Sequence, residues 1–297
     1  MRGAMHVFRF ILIALIVAVS TVLHVLPLLM VAVIKALVPW QRFRLACNPV
    51  LSGLAESWVG VNNGLWRRLT HTRLALSGDV DLQADGHYLV LANHQSWVDI
   101  LVLQKAFNKR IPLLRFFLKR QLFWVPLLGL AWWALDFPFM GRYSPKQVAK
   151  NPALAKRDIE ATRRACAKFR AIPVAIMNFV EGTRFTPEKH ARQGSPYRHL
   201  LKPKSGGVAF VLDAMGEGLH GILDVTIRYP AGQPSLLGLL MDQVPEVQVV
   251  VRQLPIPQAF IGQDYQNDRE FRVQFQRWIN TLWQEKDATL ERLQGRS

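Results

Sequence analysis

The sequence predicts an α/β domain, a sheet covered by helices on both faces, preceded by a long apolar helical segment. Three observations lead there. An uncharged apolar run lies near the N-terminus, short apolar runs alternate with helical periods from about residue 73 onward, and 297 residues suffice for one full-sized core. No internal repeat or low-complexity linker divides the chain. We therefore expect residues 1–70 to form membrane-anchoring helices and residues 71–297 to form one domain behind them.

From Phe10 to Ile34 there is no Asp, Glu, Lys or Arg. A helix needs about 20 apolar residues to cross a bilayer, and this run is longer than that. It also exceeds the ~7–15 apolar residues of a secretory leader, and no small-x-small cleavage site comes after it. Pro27 would kink a single span or mark the bend of a shallow helical hairpin. Arg2 and Arg9 precede the run, and Lys35, Arg42 and Arg44 come after it; the first acid is Glu56. The larger basic count on the C-terminal side favours a cytoplasmic position for the domain behind the run.

A second helix is expected from Leu45 to Leu69, with Leu51, Leu54, Trp58, Val61 and Leu65 at helical spacing. Expected strands are Arg73 to Leu76, Tyr88 to Ala92, Pro112 to Phe117, Val174 to Phe179, Asp224 to Tyr229 and Val247 to Arg252. Expected helices are Val98 to Phe107, Lys156 to Arg170, Gly206 to Met215 and Asp268 to Leu293. The last should start on a cap at Asn267 with Glu270 three residues on, and carry the stripe Phe271, Phe275, Trp278, Ile279, Leu282.

Charge narrows the partners. The chain carries 37 Lys plus Arg against 21 Asp plus Glu, a formal charge of +16, which calls for an anionic partner, nucleic acid or lipid. Half of the residues are hydrophobic and the mean hydropathy is +0.11, too polar for a multi-span transporter. Between Ile100 and Leu135 there is no acid and there are six bases, interleaved with Phe and Trp. Next to a membrane segment, that pattern fits anionic headgroups rather than nucleic acid. Cys47 and Cys166 match no metal spacing and suggest a reducing compartment.

Three segments carry candidate chemistry. Asn93-His94-Gln95-Ser96-Trp97-Val98-Asp99 comes directly after the run HYLVLA. Five residues apart, His94 and Asp99 do not share a helix face, but a turn would let Asp99 fold back onto the imidazole and fix its tautomer. His94 would then serve as a general base toward a substrate hydroxyl. A structural alternative stands beside this: Ser96-x-x-Asp99 also fits a capping box. In Asn178-Phe179-Val180-Glu181-Gly182-Thr183-Arg184-Phe185, Gly182 permits a tight turn and Arg184 offers a fork suited to phosphate. Glu181 can accept from a hydroxyl, hold a neighbouring loop, or simply pair with Arg184. In Asp136-Phe137-Pro138-Phe139-Met140-Gly141-Arg142, Arg142 comes after a short apolar strand, and Lys119 adds a further positive charge.

Taken together, Asn93-His94-x-x-x-x-Asp99, Phe139-Met140-x-Arg142 and Phe179-x-Glu181-Gly182-Thr183-Arg184 resemble three ordered blocks of the 1-acylglycerol-3-phosphate acyltransferase family, the PlsC-like branch of the glycerolipid acyltransferases. The resemblance runs from about Val80 to Tyr229. It implies that family's fold, a mixed and largely parallel sheet flanked by helices. It also implies a general base at His94 oriented by Asp99, phosphate contacts from Arg142, Arg184 and Lys119, and an acceptor site shaped by Glu181, Gly182 and Thr183. The implied reaction moves a fatty acyl group from acyl-CoA or acyl-carrier protein to the sn-2 hydroxyl of lysophosphatidic acid, giving phosphatidic acid, without metal or cofactor. The run Arg198 to Lys204 resembles a subgroup with lysocardiolipin-type enzymes and a bacterial inner-membrane paralogue of PlsC. That implies a bacterial cytoplasmic membrane with the catalytic domain on its inner side. Val180 stands where the family has proline, and the segment from Asp224 to Pro230 replaces a proline-rich fourth block; both bear on the acceptor. Another lysophospholipid, such as a lysophosphatidylglycerol or a lysocardiolipin, is the alternative acceptor. Outside this class, a lipid hydrolase or thioesterase lacks support from any Gly-x-Ser-x-Gly elbow, and a non-catalytic membrane adaptor would use only the basic face.

Overall fold

The structure, a computed structural model, describes residues 2–295 other than 79, 142, 144–149, 152 and 171, with side chains for all of these except 2–6 and 154–159. In chain order the regular elements are α1 (Arg2–Leu37), α2 (Gln41–Leu69), β1 (Arg73–Ser77), β2 (His87–Ala92), α3 (Val98–Phe107), β3 (Leu114–Phe116), β4 (Leu118–Lys119), α4 (Leu128–Ala134), β5 (Phe139–Met140), α5 (Ala153–Phe169), β6 (Val174–Phe179), α6 (Pro187–Gln193), α7 (Gly206–Met215), β7 (Gly221–Arg228), α8 (Leu236–Leu240), β8 (Glu246–Leu254) and α9 (Arg269–Gln294).

Six strands form one sheet in the order β1-β8-β7-β2-β6-β3. β7, β2, β6 and β3 run parallel, and β8 is antiparallel to β7 with β1 parallel to β8. The register sets Ala92 at the end of β2 beside Phe179 at the end of β6, so the loops that leave these strands start side by side. Alternation along β2 explains the two covered faces. Tyr88, Val90 and Ala92 enter one apolar cluster with residues of α1, α2, α3 and α4. Leu89 and Leu91 enter the other with α5, α7 and α9. A two-residue parallel pair, β4 with β5, sets Lys119 opposite Met140.

α1 runs unbroken through Pro27. The chain reverses at residues 38–40 instead, and α2 returns antiparallel along α1, with Lys35 bonded to Asn48, His24 to Ser57 and Trp58 to Thr21. Val25 and Leu28 of α1 are buried with Leu51 and Trp66 of α2 against the sheet. The other side of α1 is bare. Phe8, Ile11, Leu15, Val19, Val22, Leu26, Met30, Val33 and Leu37 are exposed at steps of three and four residues, one continuous stripe. Both ends of α1 are held by the same domain, through Arg9 to Asp242 at 3.1 Å and Lys35 to Asp136 at 3.8 Å.

At the C-terminus, Phe271, Phe275, Ile279 and Leu282 are buried as the stripe predicts, joined by Trp283 and Leu290. The cap is shifted by one residue: Asp268, not Asn267, accepts the Phe271 N–H, because Asn267 is engaged with Asp264.

Candidate active site

His94 lies in the loop that leaves β2, and Asp99 in the first turn of α3. The intervening turn brings them together: His94 Nδ1 and Asp99 Oδ2 are 2.8 Å apart. A carboxylate only accepts, so Nδ1 carries the proton and a neutral ring leaves Nε2 with its lone pair free. No described residue bonds that nitrogen, and the side chain is partly open to solvent while Asp99 is fully buried. Asp99 Oδ2 also accepts the N–H groups of Gln95 at 2.6 Å and Ser96 at 2.9 Å. Thus the two alternatives left by the sequence coexist: one carboxylate closes the start of α3 and orients the imidazole. The opposite face of the ring stacks on Phe179, centroids 3.8 Å apart and planes within 14°.

Asn93 fixes the loop from behind. Its side chain is buried and pairs with the β7 backbone, donating to Ile227 O and accepting from Ile227 N. Tyr229, just beyond β7, donates to Asp99 Oδ1 at 2.6 Å. Burial and the adjacent Asp99 raise the Tyr229 hydroxyl well above the ordinary tyrosine range, so it stays a donor.

The loop after β6 is stitched to this one. Glu181 is buried, and its two oxygens accept the N–H of His94 and the N–H of Leu201, each at 2.9 Å. Of the roles open to it, Glu181 therefore holds loops, and among the described contacts it does not pair with Arg184. Burial pushes its carboxyl up to about 8, against the pull of those two N–H donors. Phe185 N–H donates to His94 O at 2.7 Å, a second stitch. Gly182 has φ +70° and closes a turn onto Phe179 O, a conformation suited to glycine.

Arg184 is exposed and its guanidinium lies 4.8 Å from the centroid of Trp97. Thr183 Oγ1 and Arg184 O both accept from Lys189 Nζ, at 2.9 and 2.8 Å. Partial burial, then Arg184 and Arg192, lower the Lys189 ammonium, and Lys119 adds to this from the end of β4. Lys119, Arg184 and Lys189 thus share one cationic field. Arg142 lies outside the described residues; Phe139 and Met140 of its block pair with Leu118 and Lys119. No grouping of three or more His, Cys, Asp or Glu side chains suited to a metal occurs among the described residues.

A family model described as "Acyltransferase" matches residues 73–230, from β1 to just past β7, over half the chain. The chain belongs to the acyltransferase family. Among the family's members, mouse 1-acyl-sn-glycerol-3-phosphate acyltransferase gamma is 30% identical over 226 residues, 71% of this chain and 54% of that protein. Mouse lysocardiolipin acyltransferase 1 is 24% identical over 267 residues, 84% of this chain and 64% of that protein. The chain spans about half the length of the gamma-type relatives it matches. The crystal structure of the Thermotoga maritima 1-acyl-sn-glycerophosphate (LPA) acyltransferase, PlsC, superposes with a TM-score of 0.50 at 16% identity, covering 98% of both chains. The mixed, mostly parallel sheet flanked by helices is that fold.

Tyr229 and Lys189 escaped the sequence reading. Tyr229 sits in the segment that departs from the family's fourth block. Lys189 was signalled only by Thr186-Pro187, a helix start in which Thr186 Oγ1 accepts Lys189 N–H. Trp124 and Trp133 are 81% and 60% exposed, and Leu130 is exposed as well.

Proposed function

We propose that this protein transfers a fatty acyl group from a thioester donor, acyl-CoA or acyl-carrier protein, to the sn-2 hydroxyl of lysophosphatidic acid. The observation that carries the reading is the His94–Asp99 pair at 2.8 Å, with Nε2 free, in a loop stitched through Phe185 N–H to the one that carries Arg184. In this reading His94 Nε2 takes the acceptor's hydroxyl proton while that oxygen attacks the thioester carbonyl. The tetrahedral intermediate collapses, the C–S bond breaks, and the imidazolium returns the proton to the leaving thiolate. Asp99 stabilises the imidazolium between these steps. Lys119, Arg184 and, in the family pattern, Arg142 hold the acceptor's phosphate, and Thr183 and Gly182 shape the turn that presents Arg184. The proton comes from the acceptor's hydroxyl and leaves on the thiol, with His94 carrying it between them, and the scheme calls for no cofactor.

We propose further that residues 1–70 attach the protein to a membrane rich in anionic lipid. The exposed stripe of α1 spans roughly 43 Å at 1.5 Å per residue, longer than the ~30 Å hydrocarbon core. With both ends tied to one domain, α1 fits a position lying in the interface better than a perpendicular span. The basic residues after the apolar run support a cytoplasmic catalytic side, and the subgroup resemblance supports a bacterial inner membrane.

A second acceptor class has its own support: the lysocardiolipin acyltransferase relative aligns over 84% of this chain. The purified protein in detergent, given labelled oleoyl-CoA and a panel of lysophosphatidic acid, lysophosphatidylglycerol and monolysocardiolipin, separates the two. The proposal expects the fastest turnover on lysophosphatidic acid. Equal or faster turnover without a phosphomonoester headgroup would remove the acceptor assignment, and fatty acid released without any acylated lipid would make the protein a hydrolase.

A further inference from the structure

We propose that Lys204 is a further contact for the acceptor's phosphate, an inference that rests on the acceptor reading above. Lys204 closes the run Arg198 to Lys204, whose positive charges the mechanism does not otherwise use. The backbone of that run is tied down along its length. Arg198 N–H and His199 N–H donate to the Asp287 carboxylate of α9, each at 2.8 Å. Leu201 N–H donates to Glu181, and Lys204 N–H donates to Val180 O at 2.8 Å. The residue is thereby fixed one carboxylate away from His94, since Glu181 bridges the two segments.

The Lys204 side chain then lies across Gly182. A Cβ on Gly182 would stand 3.2 Å from both its Cδ and its Nζ, so glycine is what leaves room for the lysine over the turn. Two residues further on is Arg184. Lys204 is exposed, and no described side chain or carbonyl accepts from its ammonium. Glu181, the acid in that turn, faces inward with both oxygens on backbone N–H groups.

The contrast with Lys189 sharpens the assignment. Lys189 directs its ammonium to Thr183 Oγ1 and Arg184 O, which makes it a positioning residue for the turn. Lys204 keeps its donors free over the same turn, without a counter-charge among the described residues. A phosphate dianion held by Arg184 supplies that counter-charge and accepts those donors. The contact also favours a phosphomonoester over a singly charged diester.

The test is steady-state kinetics of the full chain with Lys204→Met and Lys204→Arg, varying lysophosphatidic acid and oleoyl-CoA separately. We expect Lys204→Met to raise KM for lysophosphatidic acid about tenfold, the scale of one charge-assisted hydrogen bond, with kcat within about threefold and KM for oleoyl-CoA unchanged. Lys204→Arg should recover most of the loss. An unchanged acceptor KM in Lys204→Met overturns the inference. So does a rise confined to oleoyl-CoA, which would give the lysine to the donor's phosphates. A fall in kcat and melting temperature that arginine does not rescue makes it a structural prop and overturns it as well. If wild type acylates lysophosphatidylglycerol but not lysophosphatidic acid, the acceptor reading has failed and the inference goes with it; in the other three cases wild-type activity on lysophosphatidic acid stands.

Discussion

The Tyr229 hydroxyl, 130 residues away in sequence, donates at 2.6 Å to the Asp99 oxygen that His94 leaves free. Together with the bonds from His94, Gln95 and Ser96, it gives a fully buried carboxylate four donors. Tyr229→Phe removes one of them without changing the ring. A buried hydrogen bond to a charged group contributes about 1.5–3 kcal/mol. The variant should lose about that much in a denaturant titration and turn over more slowly, since the imidazole's partner is less firmly held. Wild-type stability and rate together would show that Tyr229 only fills space.

Asp99→Asn keeps the shape but puts an amide where two oxygens each accept. Whichever way the amide turns, its NH2 faces a donor: the Tyr229 hydroxyl, or the Gln95 and Ser96 N–H groups with the His94 ring. The His94 tautomer is then no longer set, and we expect acyl transfer to fall ~10²–10⁴-fold, the span of general acid–base catalysis, with ~10⁴ the loss when a triad carboxylate becomes an amide. Single-turnover mixing with labelled thioester measures this. A loss under about fivefold would leave Asp99 as a helix cap alone.

Glu181 gives a pH signature. Burial raises it to about 8, above the ~4.3 of an unfolded glutamate. The folded protein therefore keeps a proton that the unfolded chain has already released. That contribution to stability is fully present below pH ~4.3 and is lost as pH climbs to about 8. Glu181→Gln abolishes the titration, so the unfolding free energy of wild type minus variant should decline across this window and then level off. A difference that stays flat, or grows with pH, contradicts the burial argument.

Lys286 on α9 is fully buried, with Nζ 2.6 Å from both Asp224 Oδ1 and Val225 O. Desolvation lowers its ammonium while Asp224 pulls the other way. Lys286→Met leaves the buried Asp224 carboxylate to Arg252 alone, and removing one partner of such a pair costs about 3–5 kcal/mol. Lys286→Met with Asp224→Asn should cost less than the sum of the two single changes. Strict additivity in thermal or denaturant melts would show that the pair is not coupled.

Much of this architecture was legible in the sequence because burial tracks periodicity. The ends of α3, α7 and β6 fall where the sequence pattern put them, and the alternation of strand runs with helical periods foretold a sheet covered on both faces. The His94–Asp99 pair was legible through the three ordered blocks taken together, since the five-residue spacing by itself fitted a helix cap equally well. The hidden features depend on partners far along the chain. Tyr229 meets Asp99 only once β7 lies beside β2, and Lys286 looks like one more charge on a helix until α9 docks. The hairpin bend moved from Pro27 to residues 38–40 because α1 gains packing on α2 by continuing, which outweighs one missing backbone donor. Short elements such as β4, β5 and α8 carry too few residues for any period to show.

The most direct test is the acyl-transfer rate of His94→Ala with lysophosphatidic acid and labelled oleoyl-CoA, read beside its melting curve. The account predicts a loss of at least ~10²-fold in a protein that still melts cooperatively, its stability lowered by about the 1.5–3 kcal/mol of one donor to the buried Asp99 carboxylate. Transfer within a few-fold of wild type would contradict it.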